Sequence, residues 1–249
     1  MLKKFTPTLK KHFKFTKKEY LDMIIITLIL SFIFSLADWG KTRNYLLHLI
    51  SIIIIVYAVL LAHLAIQKVF AIYNGYSSKF HISVVSLLAA LMIGFLTSNP
   101  KGTFILVLVI PGTMLYKTMP KHRIGRWPKG PVFGELSLIT GSGIVLNQIL
   151  ALTFYGLYLA TNLWGFWLIT IINVFFAFGT ILPIPKNDGL QLLYGSRVGY
   201  VVTAILVIST SYLIFMQYSF LATLLLTIIT VLVIWASYYY FVEKRYLGR

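Results

Sequence analysis

From Tyr45 to Tyr73 the chain carries no acidic residue, and its only basic ones are His48, His63 and Lys68. A helix needs about 20 mostly apolar residues to cross the hydrocarbon core of a bilayer, and this stretch exceeds that. Comparable runs lie at about 21–37, 134–160, 165–182, 198–217 and 219–242, with a shorter one at 82–97. Charged residues are 11% of the 249 and mean hydropathy is +0.86, whereas a soluble domain carries roughly 25% charged residues. A water-soluble globule is excluded, and so is disorder, which requires low hydrophobicity. The expected fold is an α-helical polytopic membrane protein of six or seven transmembrane helices. It forms a single membrane domain over 21–242, between a basic segment at 1–20 and a tail at 243–249.

One segment departs from the helical pattern. Residues 103–116 are β-branched and interrupted by Pro111-Gly112. As a helix they reach only about 21 Å; extended, they reach about 46 Å. This predicts a short membrane-embedded strand or re-entrant segment. Bare backbone at membrane depth is tolerated only against protein or a wet cavity.

The formal net charge is +16. Cytoplasmic loops of membrane proteins carry excess Lys and Arg. With the N-terminus in the cytoplasm and 82–116 folded out and back, the cytoplasmic pieces hold every Lys and Arg except Lys41, Arg43 and Lys101. Both termini are therefore expected on the cytoplasmic side of the plasma membrane. The charge is read as topogenic and as lying against anionic membrane lipids, not as a nucleic-acid surface. Residues 1–20 lack the short apolar core of a signal peptide. Thr16-Lys17-Lys18-Glu19 reads as a capping box that opens the first span, and Asp38-Trp39-Gly40 closes it. Trp164, Trp167, Trp235 and Tyr238-Tyr239-Tyr240 read as interfacial aromatic belts.

There is no cysteine, so thiolate metal sites and cysteine nucleophiles are excluded. Ionisable residues inside spans are costly and are functional candidates by default. Three qualify: His63, Lys68 and Asp188. Asp188 follows Pro183 and Pro185, which break a helix, and precedes Gly189, which permits a tight turn. From these residues alone the break reads equally as an intramembrane site or as the border of a span.

Two segments resemble the site-2 intramembrane metalloproteases, in the form found in archaea. Ala62–Tyr76, AHLAIQKVFAIYNGY, is similar to the family's zinc helix, A-H-E-L-A-H-K-F-V-A-I-R-Y-G-Y. Thr180–Gly189, TILPIPKNDG, is similar to the turn N-L-L-P-I-P-P-L-D-G, which carries the third zinc ligand. Between them, Gly134-Glu135-Leu136-Ser137-Leu138 and Gly141 to Asn147 resemble the family's G-E-I-S-L-A-G-P-x-x-N stretch. The likeness runs over roughly 60–200 and implies a protease-like core at about 45–197.

The departures fall on the chemistry. In H-E-x-x-H, two histidines one helical turn apart bind zinc, and the glutamate acts as general base on the zinc-bound water. Here His63 remains, Leu64 occupies the base position and Gln67 the second-histidine position; Asp188 remains. The resemblance therefore implies a degenerate metal site at His63, Gln67 and Asp188 with no intact catalytic residue, and no metal cofactor is expected. Lys186 stands where the family is apolar and is a candidate charge partner for Asp188, with Gln67 and Asn187 as hydrogen-bonding alternatives. Gly141, Asn147, Pro183, Pro185 and Gly189 are the candidate groove or motif residues. Glu135 reads as a helix-dipole acid or a group at the cytoplasmic mouth, and His48 and His81 lie too far off to replace Gln67. The resulting expectation is a pseudoprotease that binds transmembrane helices or membrane partners. Its alternatives are an active intramembrane zinc metalloprotease with altered ligands, or an unrelated transporter or structural membrane subunit.

Overall fold

The computed structural model describes residues 9–36, 44–97, 112–119 and 132–244. These residues are mostly helical, with one small antiparallel sheet among them. Helix α1 (Lys17–Ser35) begins at the predicted capping box. Glu19 N–H donates to Thr16 Oγ1 at 3.3 Å, and Thr16 N–H donates to Glu19 Oε2 at 2.7 Å. Helix α2 spans Tyr45–Tyr73 and ends at Asn74-Gly75, where Gly75 takes φ 83°. Strand β1 (Tyr76–Ile82), helix α3 (Val84–Thr97) and strand β2 (Gly112–Thr118) follow. Helices α4 (Phe133–Thr161), α5 (Trp164–Ile181), α6 (Asp188–Gly195), α7 (Arg197–Phe215) and α8 (Phe220–Tyr238) complete the order.

Five helices among the described residues are long and apolar enough to cross a membrane: α2, α4, α5, α7, and α8 with its extension to Val242. Together with the composition, they make this an integral membrane protein. Helix α1 has 19 residues, about 28 Å at 1.5 Å each, and its first turns carry Lys17, Lys18, Glu19 and Asp22.

Two expectations change. The reading of 82–97 as a span meets a 14-residue helix, Val84–Thr97. At about 21 Å, this described part falls short of a core of about 30 Å. Residues 76–82, which straddle the cytoplasmic piece expected at 68–81 and the start of the run at 82–97, are strand. They alternate Tyr76, Ser78 and Phe80 inward with Lys79 and His81 outward, and they pair with β2 from Tyr76↔Thr118 to Ile82↔Gly112. The expected extended segment near 103–116 is thus strand from Gly112 onward. Its portion at 103–111 lies outside the described residues, as do Asp38-Trp39-Gly40 and most of the loop 117–133.

The core is layered. Met23, Ile26 and Leu30 of α1 pack with Val56 and Leu60 of α2, Phe80 and Met114 of the sheet, and Ile172 and Phe176 of α5. A second cluster joins Ile144, Ala177, Leu192 and Val207, and a third joins Ala151, Tyr155, Val174 and Ile214. Helix α5 contributes to all three clusters, and beside the place where it breaks, His63 and Gln67 of α2 meet Asn147 of α4 and Asp188.

Candidate functional site

The break at the end of α5 follows from its residues. Proline cannot continue a helix and disfavours helical geometry in the residue before it; Leu182, preceding Pro183, is extended with ψ 133°. Asn187 N–H then donates to Ile184 C=O at 2.9 Å, and Lys186 takes φ 70°. Pro185 and Lys186 thereby occupy the two central positions of a type II turn, whose second position favours glycine. Asn187 Nδ2 donates to Gly179 C=O at 2.8 Å, capturing a carbonyl that the ending helix leaves without its usual partner. A Cβ on Gly189 would lie 2.0 Å from Ile181 C=O. Only glycine lets α6 start this close to the end of α5, and that start sets Asp188 at the first position of α6.

Positions 63, 67 and 188 converge. His63 Nε2 lies 3.0 Å from Asp188 Oδ2. Gln67 Nε2 lies 2.6 Å from the same oxygen and 3.1 Å from His63 Nε2. His63 and Gln67 are one turn apart on α2 and therefore share a face. Asn147 of α4 joins them: its Nδ2 lies 3.1 Å from His63 Nδ1. With the Asn147 amide donating, Nδ1 accepts, so the ring proton sits on Nε2 and is donated to Asp188. Two N–H groups thus converge on one carboxylate oxygen. The four side chains are 3%, 0%, 0% and 8% exposed for His63, Gln67, Asn147 and Asp188. Gly143 makes the convergence possible, because a Cβ there would lie 2.6 Å from His63 Cε1 and 2.9 Å from Gln67 Nε2.

A small cavity beside this cluster is lined by Leu60, Leu64, Phe80, Thr113, Met114 and Thr180, among others. The sheet covers it, and α6 holds the sheet: Gln191 Nε2 donates to Thr113 Oγ1 at 3.1 Å. Sequence reasoning missed Phe80, Thr113 and Met114 as site residues. The signal available was the period-two alternation of 76–82, which marks a half-buried strand.

The other candidates lie elsewhere. Lys186 is exposed and does not pair with Asp188, correcting the expectation of a charge partner; Gln67 and His63 supply the compensation. Lys68 turns away from the site, and its Nζ meets Glu19 Oε1 at 2.8 Å. Glu135 accepts from Val132 N–H at 3.2 Å and from the Tyr76 hydroxyl. His81 is half-exposed on β1, 3.8 Å from Asp22. Gly141 faces Leu192, whose Cδ1 would lie 3.4 Å from a Cβ there. Pro183 and Pro185 are exposed shapers of the turn.

The chain matches no family model, no curated protein and no solved structure. The chemistry is therefore read from the site itself. A catalytic zinc takes three protein ligands at about 2.0–2.1 Å, which places tetrahedral donors about 3.3 Å apart. The three donor atoms here stand 2.6–3.1 Å apart, as hydrogen-bonded atoms do. One of them is an amide nitrogen whose protons point into the cluster. This donor set does not fit a catalytic zinc. Leu64, the residue after His63, lines the cavity and cannot take a proton. The two threonine hydroxyls that line the cavity are hydrogen-bonded: Thr180 Oγ1 donates to Phe176 and Ala177 carbonyls at 2.7 and 3.1 Å, and Thr113 Oγ1 accepts from Gln191 Nε2.

Proposed function

We propose that this chain is a site-2-protease-like integral membrane protein in which a hydrogen-bonded clasp stands in place of the zinc centre. On this reading it binds transmembrane helices or other membrane partners without cutting them. The observation that carries the reading is the meeting of His63, Gln67 and Asp188 at a single buried carboxylate oxygen. These positions are 125 and 121 residues apart in sequence, and they are the ones that the family resemblance pairs. Burying an unpaired carboxylate is costly; the two N–H donors compensate it as a cation otherwise would. The same contacts tie α2 to α6 and, through Asn147, to α4.

The partner on this reading is a transmembrane helix that lies against the sheet covering the cavity. A photocrosslinking residue at position 113, in the strand that lines the cavity, tests it in the native membrane. Crosslinks to membrane-protein segments, recovered intact, are expected. Crosslinks to lipid alone, or recovery of a partner cleaved within its span, would overturn it.

A further inference from the structure

Helix α1 is preceded by a strongly one-signed surface. Lys10, Lys11, Lys14, Lys17 and Lys18 are all exposed, and no acid occurs in the chain before Glu19. Glu19 does not dilute the charge, because it is 2% exposed and paired with Lys68.

The surface is held in place. Lys68 Nζ donates to Lys14 C=O at 2.8 Å and lies 4.0 Å over the Phe15 ring. Phe15 packs on Phe13 and Tyr20, with ring centroids 5.8 and 5.7 Å away. Glu19 Oε1 also accepts from Phe80 N–H at 2.9 Å, which brings β1 to the same place. The outward face of the sheet then adds Lys79 and Lys117, both exposed. They lie on neighbouring strands, Lys117 opposite Ser77, so they project from one face. Immediately after the lysines, α1 turns apolar and exposed at Leu21, Ile24, Ile25 and Leu28. A cationic surface thus adjoins a lipid-facing helix face, where phospholipid headgroups lie.

We propose that residues 10–18, with Lys79 and Lys117, form a docking surface for anionic phospholipid headgroups. The chemistry is charge complementarity at the bilayer surface, each juxtamembrane lysine contributing roughly fivefold in affinity. The clasp on Lys68 fixes the lysines beforehand, so docking costs less ordering entropy than it does for a free tail. Coulombic attraction between exposed charges is screened beyond about 8 Å at physiological salt, so the docking is salt-sensitive.

The chain has no cysteine, so His12→Cys carries a single polarity-sensitive dye. The full-length protein is reconstituted in phosphatidylcholine vesicles and in equal parts phosphatidylcholine and phosphatidylglycerol. The dye is then quenched with acrylamide, which is neutral. At low salt, shielding in the anionic vesicles should exceed that in the neutral ones by roughly threefold, and high salt should remove the difference. Replacing Lys10, Lys11, Lys14, Lys17, Lys18, Lys79 and Lys117 by glutamine should abolish it, and replacing them by arginine should keep it. Equal quenching in the two vesicle types, a difference that high salt leaves intact, or its survival in the glutamine variant would each overturn the proposal. Should the glutamine variant fail to insert, the salt and arginine arms decide alone, loss of the preference in the arginine variant counting against it.

Discussion

His63 and Gln67 share Asp188 Oδ2, so removing the carboxylate strands two buried donors at once. Leaving a buried donor without its acceptor costs about 1–3 kcal/mol, so two together cost about 2–6 kcal/mol. Asp188→Ala should destabilise by that amount, while Asp188→Asn, which retains an acceptor oxygen, should cost about 1–2 kcal/mol. Thermal unfolding in detergent compares the two; equal losses would count against a hydrogen-bonded clasp. Lys186 gives a prediction of the opposite sign. Its φ of 70° is strained for a side chain, at about 1 kcal/mol or more. Lys186→Gly should therefore stabilise by about 1 kcal/mol. A double-mutant cycle of Lys186→Ala with Asp188→Ala should be additive, because the two side chains do not meet.

At the scale of elements, Glu19 and Lys68 join the first turn of α1 to α2, and the Phe80 N–H joins β1 to both. Burial by itself would raise the Glu19 carboxyl. The Lys68 ammonium and the N–H groups of Thr16 and Phe80 outweigh burial and hold it below its ordinary 4.5. A carboxyl depressed in the folded state contributes stability that is fully present above its unfolded value and is lost as pH falls through the folded value. Acidification below about pH 4.5 should thus lower the unfolding temperature of the wild type. In Glu19→Gln this part of the slope should be absent, and an identical slope would contradict the assignment.

The elements differ in how plainly the sequence announces them. Helix α2 matches its apolar run residue for residue, because an apolar run long enough to span a bilayer needs no other signal, and α4, α5, α7 and α8 lie within a few residues of their runs. Strand β1 hid because Ser77, Ser78 and Lys79 read as loop, and only the side chains alternating between them carry the strand period. Within the site, His63 and Asp188 stood out as ionisable residues inside spans, and Gln67 was legible only through the family resemblance. Phe80 and Met114 were not, since they reach the cavity only by the pairing of β1 with β2, a non-local contact that no motif encodes. The destination of Lys68 was hidden for the same reason: its partner lies 49 residues away on another helix.

At the scale of the whole molecule, we propose that the charge distribution orients the chain. Lys and Arg crowd into 1–20 and 117–133, and by the positive-inside rule both are proposed to lie on one side of the membrane. Gly125→Cys, in the cysteine-free background, should be labelled by impermeant reagent from the side that labels His12→Cys. Labelling from the opposite side would sink the out-and-back course proposed for 82–116.

The central claim is that hydrogen bonds stand in for a metal at a point where three distant positions still converge. Zinc stoichiometry, measured by elemental analysis on wild type and Gln67→His side by side, tests it most directly. A histidine at 67 faces His63 and Asp188 from one turn away and supplies the third ligand of a zinc site. The account predicts no stoichiometric zinc in the wild type and about one per chain in Gln67→His. One equivalent in the wild type, lost on His63→Ala, would contradict it and favour an active metalloprotease with altered ligands.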